Sequence, residues 1–114
     1  MWQRAMQLTA MTYRTTVHLP PEERYGLSSQ LRRAAVSIPA NIAEGRQRSS
    51  TKDFLRFLSF AAGSLAELET LVELSSRLYE LNRNEVGTLV QEADEVGKML
   101  RSLQQSLEAK LPSP

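Results

Sequence analysis

The sequence predicts an all-α protein, an antiparallel up-down-up-down four-helix bundle whose second helix bends at Pro39. Three observations lead there. Apolar residues recur at steps of three and four along four separate segments. The links between those segments are short, which favours antiparallel neighbours. No segment alternates with period two over a useful length, which argues against strands. The helices are expected at about residues 2–18, 28–46, 51–79 and 83–109, within one domain spanning 1–114.

In the first helix Trp2, Met6, Thr9, Tyr13 and Val17 share one face. Leu19-Pro20-Pro21 stops it, because Pro21 lacks a backbone donor and Pro20 biases Leu19 away from helix. Glu22 and Glu23 after Pro21 suit a short helical turn. Gly26 breaks that turn, and Ser28 is the expected N-cap of the second helix. Its buried stripe is Leu27, Leu31, Ala34, Ala35, Ile38 and Ile42. Pro39 removes the bond to the Ala35 carbonyl. The helix is expected to bend there and continue to about Gly45, since Ile38 and Ile42 stay in register with Leu31 and Ala35. Gly45 and the polar run from Arg46 to Ser50 end it.

Ser50-Thr51-Lys52-Asp53 reads as a capping-box variant opening the third helix, and Asn82-Arg83-Asn84-Glu85 opens the fourth in the same way. The third helix points Phe54, Leu58, Ala61, Leu65, Leu68 and Val72 inward. The fourth lines one side with Val86, Leu89, Val90, Ala93, Val96, Leu100, Leu103 and Leu107. Leu31, Ile38, Ile42, Leu58, Leu65, Leu68, Leu100 and Leu103 are expected to be nearly fully buried within one subunit. Pro112 and Pro114 close the chain as a frayed tail.

The third helix carries a second series, Phe57, Phe60, Ser64, Glu67, Leu71, Leu74 and Leu78, roughly 100–120° around from the first. Either this is a wide stripe buried against two neighbours, or it marks a subunit contact at Phe60, Leu71, Leu74 and Leu78. Gly63 lies mid-helix, where either close approach of another backbone offsets the helical cost of glycine or the glycine is simply tolerated.

With 41% hydrophobic and 24% charged residues the chain is ordinary for a soluble globular protein. It has no cysteine, which excludes disulfides, thiolate metal sites and cysteine nucleophiles. There is no leader pattern and no apolar run long enough to span a bilayer, so a cytoplasmic location is expected. The net charge of +1 hides an asymmetry: through Arg56 nine basic residues face four acids, and beyond it five face nine. The basic half can attract phosphates or meet the acidic half of the same or a neighbouring chain.

The run from Glu23 through Gly45, ERYGLSSQLRRAAVSIPANIAEG, strongly resembles the bacterial four-helix-bundle family named after the 23S rRNA intervening-sequence protein. So do Ser50-Thr51-Lys52-Asp53-Phe54, Phe57-Leu58 and the run Gly63 to Thr70, and Trp2-Gln3-Arg4-Ala5-Met6 looks like the family's first-helix opening. The resemblance covers nearly the whole chain, in matching order and separation. One departure is that relatives usually carry several more residues before the tryptophan. The resemblance implies a four-helix bundle assembled as a ring-like homopentamer. Some relatives are encoded inside segments that interrupt 23S rRNA genes. A related branch, the accessory variability determinants of diversity-generating retroelements, works with a reverse transcriptase and binds nucleic acid.

Catalytic chemistry finds little footing. A di-iron bundle needs a Glu-x-x-His motif on each of two helices, and His18 is the one histidine. The same shortage leaves no base for a serine triad, and no phosphate-binding glycine loop is present. His18 is a helix-terminal residue favourably placed with the dipole. Ser37, Asn41 and Glu44 share one side of the second helix. They form a polar site beside Pro39, or one of them satisfies a backbone group that the proline frees. Arg32, Arg33, Arg46 and Arg48 are the candidate nucleic-acid contacts, spread around the non-core side; Tyr25 and Tyr79 are not interleaved with them at a stacking repeat. The expected function is a non-enzymatic, cytoplasmic, homo-oligomeric scaffold or adaptor with no cofactor, metal, membrane or small-molecule partner. The alternative is a nucleic-acid-binding accessory protein acting on RNA or DNA, with a reverse transcriptase or ribosomal RNA as partner.

Overall fold

The computed structural model describes residues 1–112 and contains helices α1 (Trp2–Thr16), α2 (Leu27–Arg46), α3 (Thr51–Leu78) and α4 (Arg83–Glu108), with a 3₁₀ turn at Pro21–Glu23. Pro114, assigned to the tail from sequence, lies outside the described residues.

The helix starts show how much local chemistry decides. Ser50 accepts the Asp53 backbone N–H at 3.1 Å, and Asn82 accepts those of Asn84 and Glu85 at 2.9 and 3.1 Å. Both caps match the capping boxes read from sequence. The start of α2 differs. Gly26, not Ser28, is the N-cap, and no cap side chain bonds there. The Glu23 carboxylate in the preceding turn accepts the Leu27 N–H at 3.1 Å and takes over that role.

Each helix packs on its chain neighbours, and α4 closes back on α1. The α1–α2 and α2–α3 pairings run in opposite directions along the chain. Thr9 and Thr16 of α1 meet Ala35 and Arg32 of α2. Ser37 and Gly45 of α2 meet Ser64 and Phe57 of α3. Leu65 of α3 meets Gly97 of α4, and Arg4 of α1 pairs with Glu92. The core is one continuous cluster to which all four helices contribute. Seven of the eight residues expected at its centre are buried; Leu103 is half-buried and packs against the outside of the cluster.

The first helix turns a different face inward from its apolar one. Ala5, Leu8, Thr12, Thr15 and Thr16 are buried, whereas Trp2, Met6, Tyr13 and Val17 are exposed. The reason lies in the threonines. Thr12 donates to the Leu8 carbonyl at 2.8 Å, Thr15 to Met11 at 3.0 Å and Thr16 to Tyr13 at 2.8 Å. With the hydroxyls satisfied inside the helix, their methyl groups pack as apolar surface.

Helix α2 runs through Pro39 without interruption to Arg46, so Gly45 lies inside it. Pro39 leaves the Ala35 carbonyl without its usual partner. Thr9 of α1 donates its hydroxyl to that oxygen at 2.9 Å, and the same hydroxyl lies 3.0 Å from the Ala5 carbonyl. The group freed by the proline is thus satisfied from another helix, not by Ser37, Asn41 or Glu44. Thr9→Val should therefore cost about 1 kcal/mol, the net worth of one such bond. Urea unfolding checks it, and an unchanged midpoint would show that the bond contributes nothing.

Candidate interaction surfaces

Two apolar stripes flank α2. On α1 the outward stripe begins with Trp2, 38% exposed, and Met6; its later members Thr9 and Tyr13 lean onto α2 through Ala35 and Arg32. On α3 the second stripe divides. Phe57 and Leu71 are buried, whereas Phe60 is 47%, Leu74 43% and Leu78 58% exposed. The stripe is thus buried within the subunit at one part and left exposed at another. Leu71 is the correction: at 8% exposure it belongs to the subunit's own core, because it lies about 60° around the helix from Leu74, toward the bundle axis. Phe60 packs edge-on against Phe57, with ring centroids 5.5 Å apart.

Ser37 and Asn41 do come together, with a third residue from α3. The Ser37 and Ser64 hydroxyls lie 2.8 Å apart, and the Asn41 amide donates to the Ser37 hydroxyl at 2.9 Å and its carbonyl at 2.8 Å. Glu44 is not part of this cluster; it accepts from Arg48 at 3.4 Å. The cluster ties α2 to α3, and its half-buried polar atoms partner one another. Gly63, one residue before Ser64, has open space where a Cβ would stand, so no backbone of the same chain approaches it.

The four candidate arginines separate into two pairs, about 20 Å apart along α2 at 1.5 Å per residue. Arg48 is engaged by Glu44 and lies with its guanidinium 4.5 Å from the Phe57 ring centre. Arg32 and Arg33 sit at the other end. There the Pro20-Pro21 reversal folds the close of α1 against the start of α2 and leaves a groove of about 650 Å³. Tyr13, Arg24, Tyr25, Arg32 and Arg33 line it. Arg32 donates to the Thr16 hydroxyl at 3.0 Å and stacks on Tyr13 at 4.6 Å. Arg24 lies 5.4 Å from the ring centre of Tyr25, which is 86% exposed.

Arg24, Tyr13 and the neighbouring position of Tyr25 are what the sequence reading missed. Basic and aromatic side chains interleave across a chain reversal here, not along one helix. The available signal was the double proline, which brings residues far apart in sequence side by side. Glu23, beside Arg24 in the chain, does not line the groove; it accepts the Tyr79 hydroxyl at 2.5 Å and the Leu27 N–H. The phenol bond holds the Glu23 carboxyl below its usual range, and the same bond raises the Tyr79 phenol.

His18 lies beyond the end of α1, with Nε2 3.1 Å from a Glu85 carboxylate oxygen. Among the described residues no helix is long and apolar enough to cross a membrane.

Comparison with known proteins follows the fold. The family model described as 23S rRNA-intervening sequence protein matches residues 1–102. A crystal structure of a protein of unknown function from the S23 ribosomal protein family of Bacteroides thetaiotaomicron VPI-5482 superposes with a TM-score of 0.80. It is 25% identical, and the match covers 90% of this chain and 96% of that one. No curated protein matches the chain.

Proposed function

We propose, from the premise that this chain belongs to the 23S rRNA-intervening sequence protein family, that it is a non-enzymatic, cytoplasmic, homo-oligomeric scaffold or adaptor. The observation that carries this reading is the pair of exposed apolar stripes beside α2, with Trp2 and Met6 on one side and Phe60, Leu74 and Leu78 on the other. Large apolar side chains exposed along one side of a helix are groups that association would take out of water.

Charge supports the same reading. Helix α2 is basic and lies diagonally across the bundle from α4, which carries five acids against three basic residues. A head-to-tail contact brings such unlike sides of successive subunits together, and closes into a ring when the rotation permits. The pentamer implied by the sequence resemblance is one such ring.

The test is mass in solution. Phe60→Glu combined with Leu74→Glu should turn the oligomer into a monomer with its helix content intact, as measured by light scattering during size-exclusion chromatography and by circular dichroism. A wild-type monomer at micromolar concentration would sink the proposal. Leu71 is left out of the pair because a charge at that buried position would unfold the subunit.

A second reading, a nucleic-acid-binding accessory protein, draws on the basic and aromatic groove. The structural neighbour's description as a ribosomal protein family member makes ribosomal RNA one source of ligand to consider.

A further inference from the structure

The groove at the Pro20-Pro21 reversal combines three features that a solvated charged face does not need. The first is one sign of charge. Arg24, Arg32 and Arg33 face the same space, and none of the residues lining it is acidic. Three like charges repel one another, so their convergence raises the local affinity for an anion. The second is preorganisation. Arg32 is held between the Thr16 hydroxyl and the Tyr13 ring, with its Nε already bonded. Its two terminal nitrogens keep the forked geometry that matches a phosphate. The third is an exposed aromatic ring: Tyr25 stands at the rim, 86% exposed, with Arg24 5.4 Å from its centre.

We propose that this groove binds single-stranded nucleic acid, with backbone phosphates on Arg24, Arg32 and Arg33 and a base stacked on Tyr25. The proposal deepens the second reading above and rests on it. Phosphate contacts supply affinity, and stacking on an aromatic ring supplies a sequence-tolerant hold. A duplex fits less well. Its bases are already stacked on one another and leave no face for Tyr25. An acidic peptide would satisfy the guanidinium groups and leave the tyrosine face unused.

Arg46 and Arg48 take no part. They lie at the far end of α2, and Arg48 is engaged with Glu44 and Phe57. The groove also stands apart from Trp2 and Met6, which are at the opposite end of α1. A bound strand and a subunit contact through those residues are therefore compatible.

Fluorescence anisotropy of the full chain with labelled oligouridylate and oligothymidylate of about a dozen nucleotides tests this, within the usual range for such sites. Binding should be measurable at low salt and weaken as salt rises. Arg24→Gln with Arg33→Gln should lower the slope of log affinity against log salt by about 1.4, at roughly 0.7 per phosphate contact. Tyr25→Ala should weaken binding about tenfold and leave that slope unchanged, because stacking releases no counterion. All three side chains are exposed, so circular dichroism of the variants should match the wild type. Arg46→Gln with Arg48→Gln should bind as the wild type does.

No wild-type binding at low salt would overturn both the accessory reading and the site. Wild-type binding that survives the groove substitutions would overturn the site alone and place the strand elsewhere. Equal competition by a duplex of the same sequence, or by polyglutamate, would replace a strand-binding groove with a general anion surface.

Discussion

Leu65→Ala should destabilise the protein by about 2–5 kcal/mol, the range for truncating a buried leucine. Leu65 is 5% exposed and projects from α3 into the space beside Gly97 of α4, where a Cδ atom would stand 3.3 Å from an added Cβ. The α3–α4 seam therefore depends on this side chain filling the space that a glycine leaves. Truncation removes apolar burial and opens a cavity that two well-anchored helices cannot close. Thermal unfolding at fixed protein concentration should show a midpoint lower by about 8 °C or more, taking about 4–8 °C per kcal/mol for a chain of this size. A loss under about 1 kcal/mol would mean that the seam relaxes freely, and that the inner stripe of α3 contributes little.

Gly45→Ala should cost about 1–3 kcal/mol, whereas Gly63→Ala should gain up to about 1 kcal/mol, although both substitutions replace a glycine within a helix. At Gly45 an added Cβ would stand 2.8 Å from the Phe57 Cβ and 3.0 Å from an aromatic carbon of Phe54. The Phe57 Cβ is anchored to backbone, so helices α2 and α3 would have to separate. The helix-propensity gain of alanine is smaller than that overpacking cost. At Gly63 nothing lies within 4 Å, and only the propensity gain remains. Urea unfolding of the two single variants reads the contrast directly. Equal gains at both positions would refute the close approach at Gly45. A loss at Gly63 would show that a second chain covers that position in solution, which would bring the α3 stripe and its neighbour glycine into one subunit contact.

The two glycines show how sequence and tertiary structure divide the work. Gly45 reads from sequence as a helix stop beside a polar run, and Gly63 as either the place for a close approach or a tolerated glycine. The structure puts the close approach at Gly45, which lies inside α2 under two phenylalanines, while Gly63 faces open space. Local sequence records that a side chain is missing, but what fills the gap is decided by a helix contributed from elsewhere in the chain.

What the sequence by itself determined is everything that depends on neighbours within a turn or two of helix. The all-helical class, the caps at Ser50 and Asn82, the passage of α2 through Pro39 and the inner stripe of α3 all follow from spacings of three and four. These are interactions whose partners are close in the chain, so residue order alone is sufficient. Tertiary structure decided whichever groups had to choose between partners. In α1 the apolar face of Trp2 and Met6 gave way to a face of threonines, because bonding within the helix made those hydroxyls compatible with a core. On α3 a rotation of about 60° separates buried Leu71 from exposed Leu74, finer than a stripe of apolar letters can resolve. The groove exists because the Pro20-Pro21 reversal sets Tyr13 beside Arg32, and the Ala35 carbonyl is satisfied because Thr9 arrives from another helix. Each depends on where the helices stand and how each is turned about its axis, and burial of the whole core sets those positions at once.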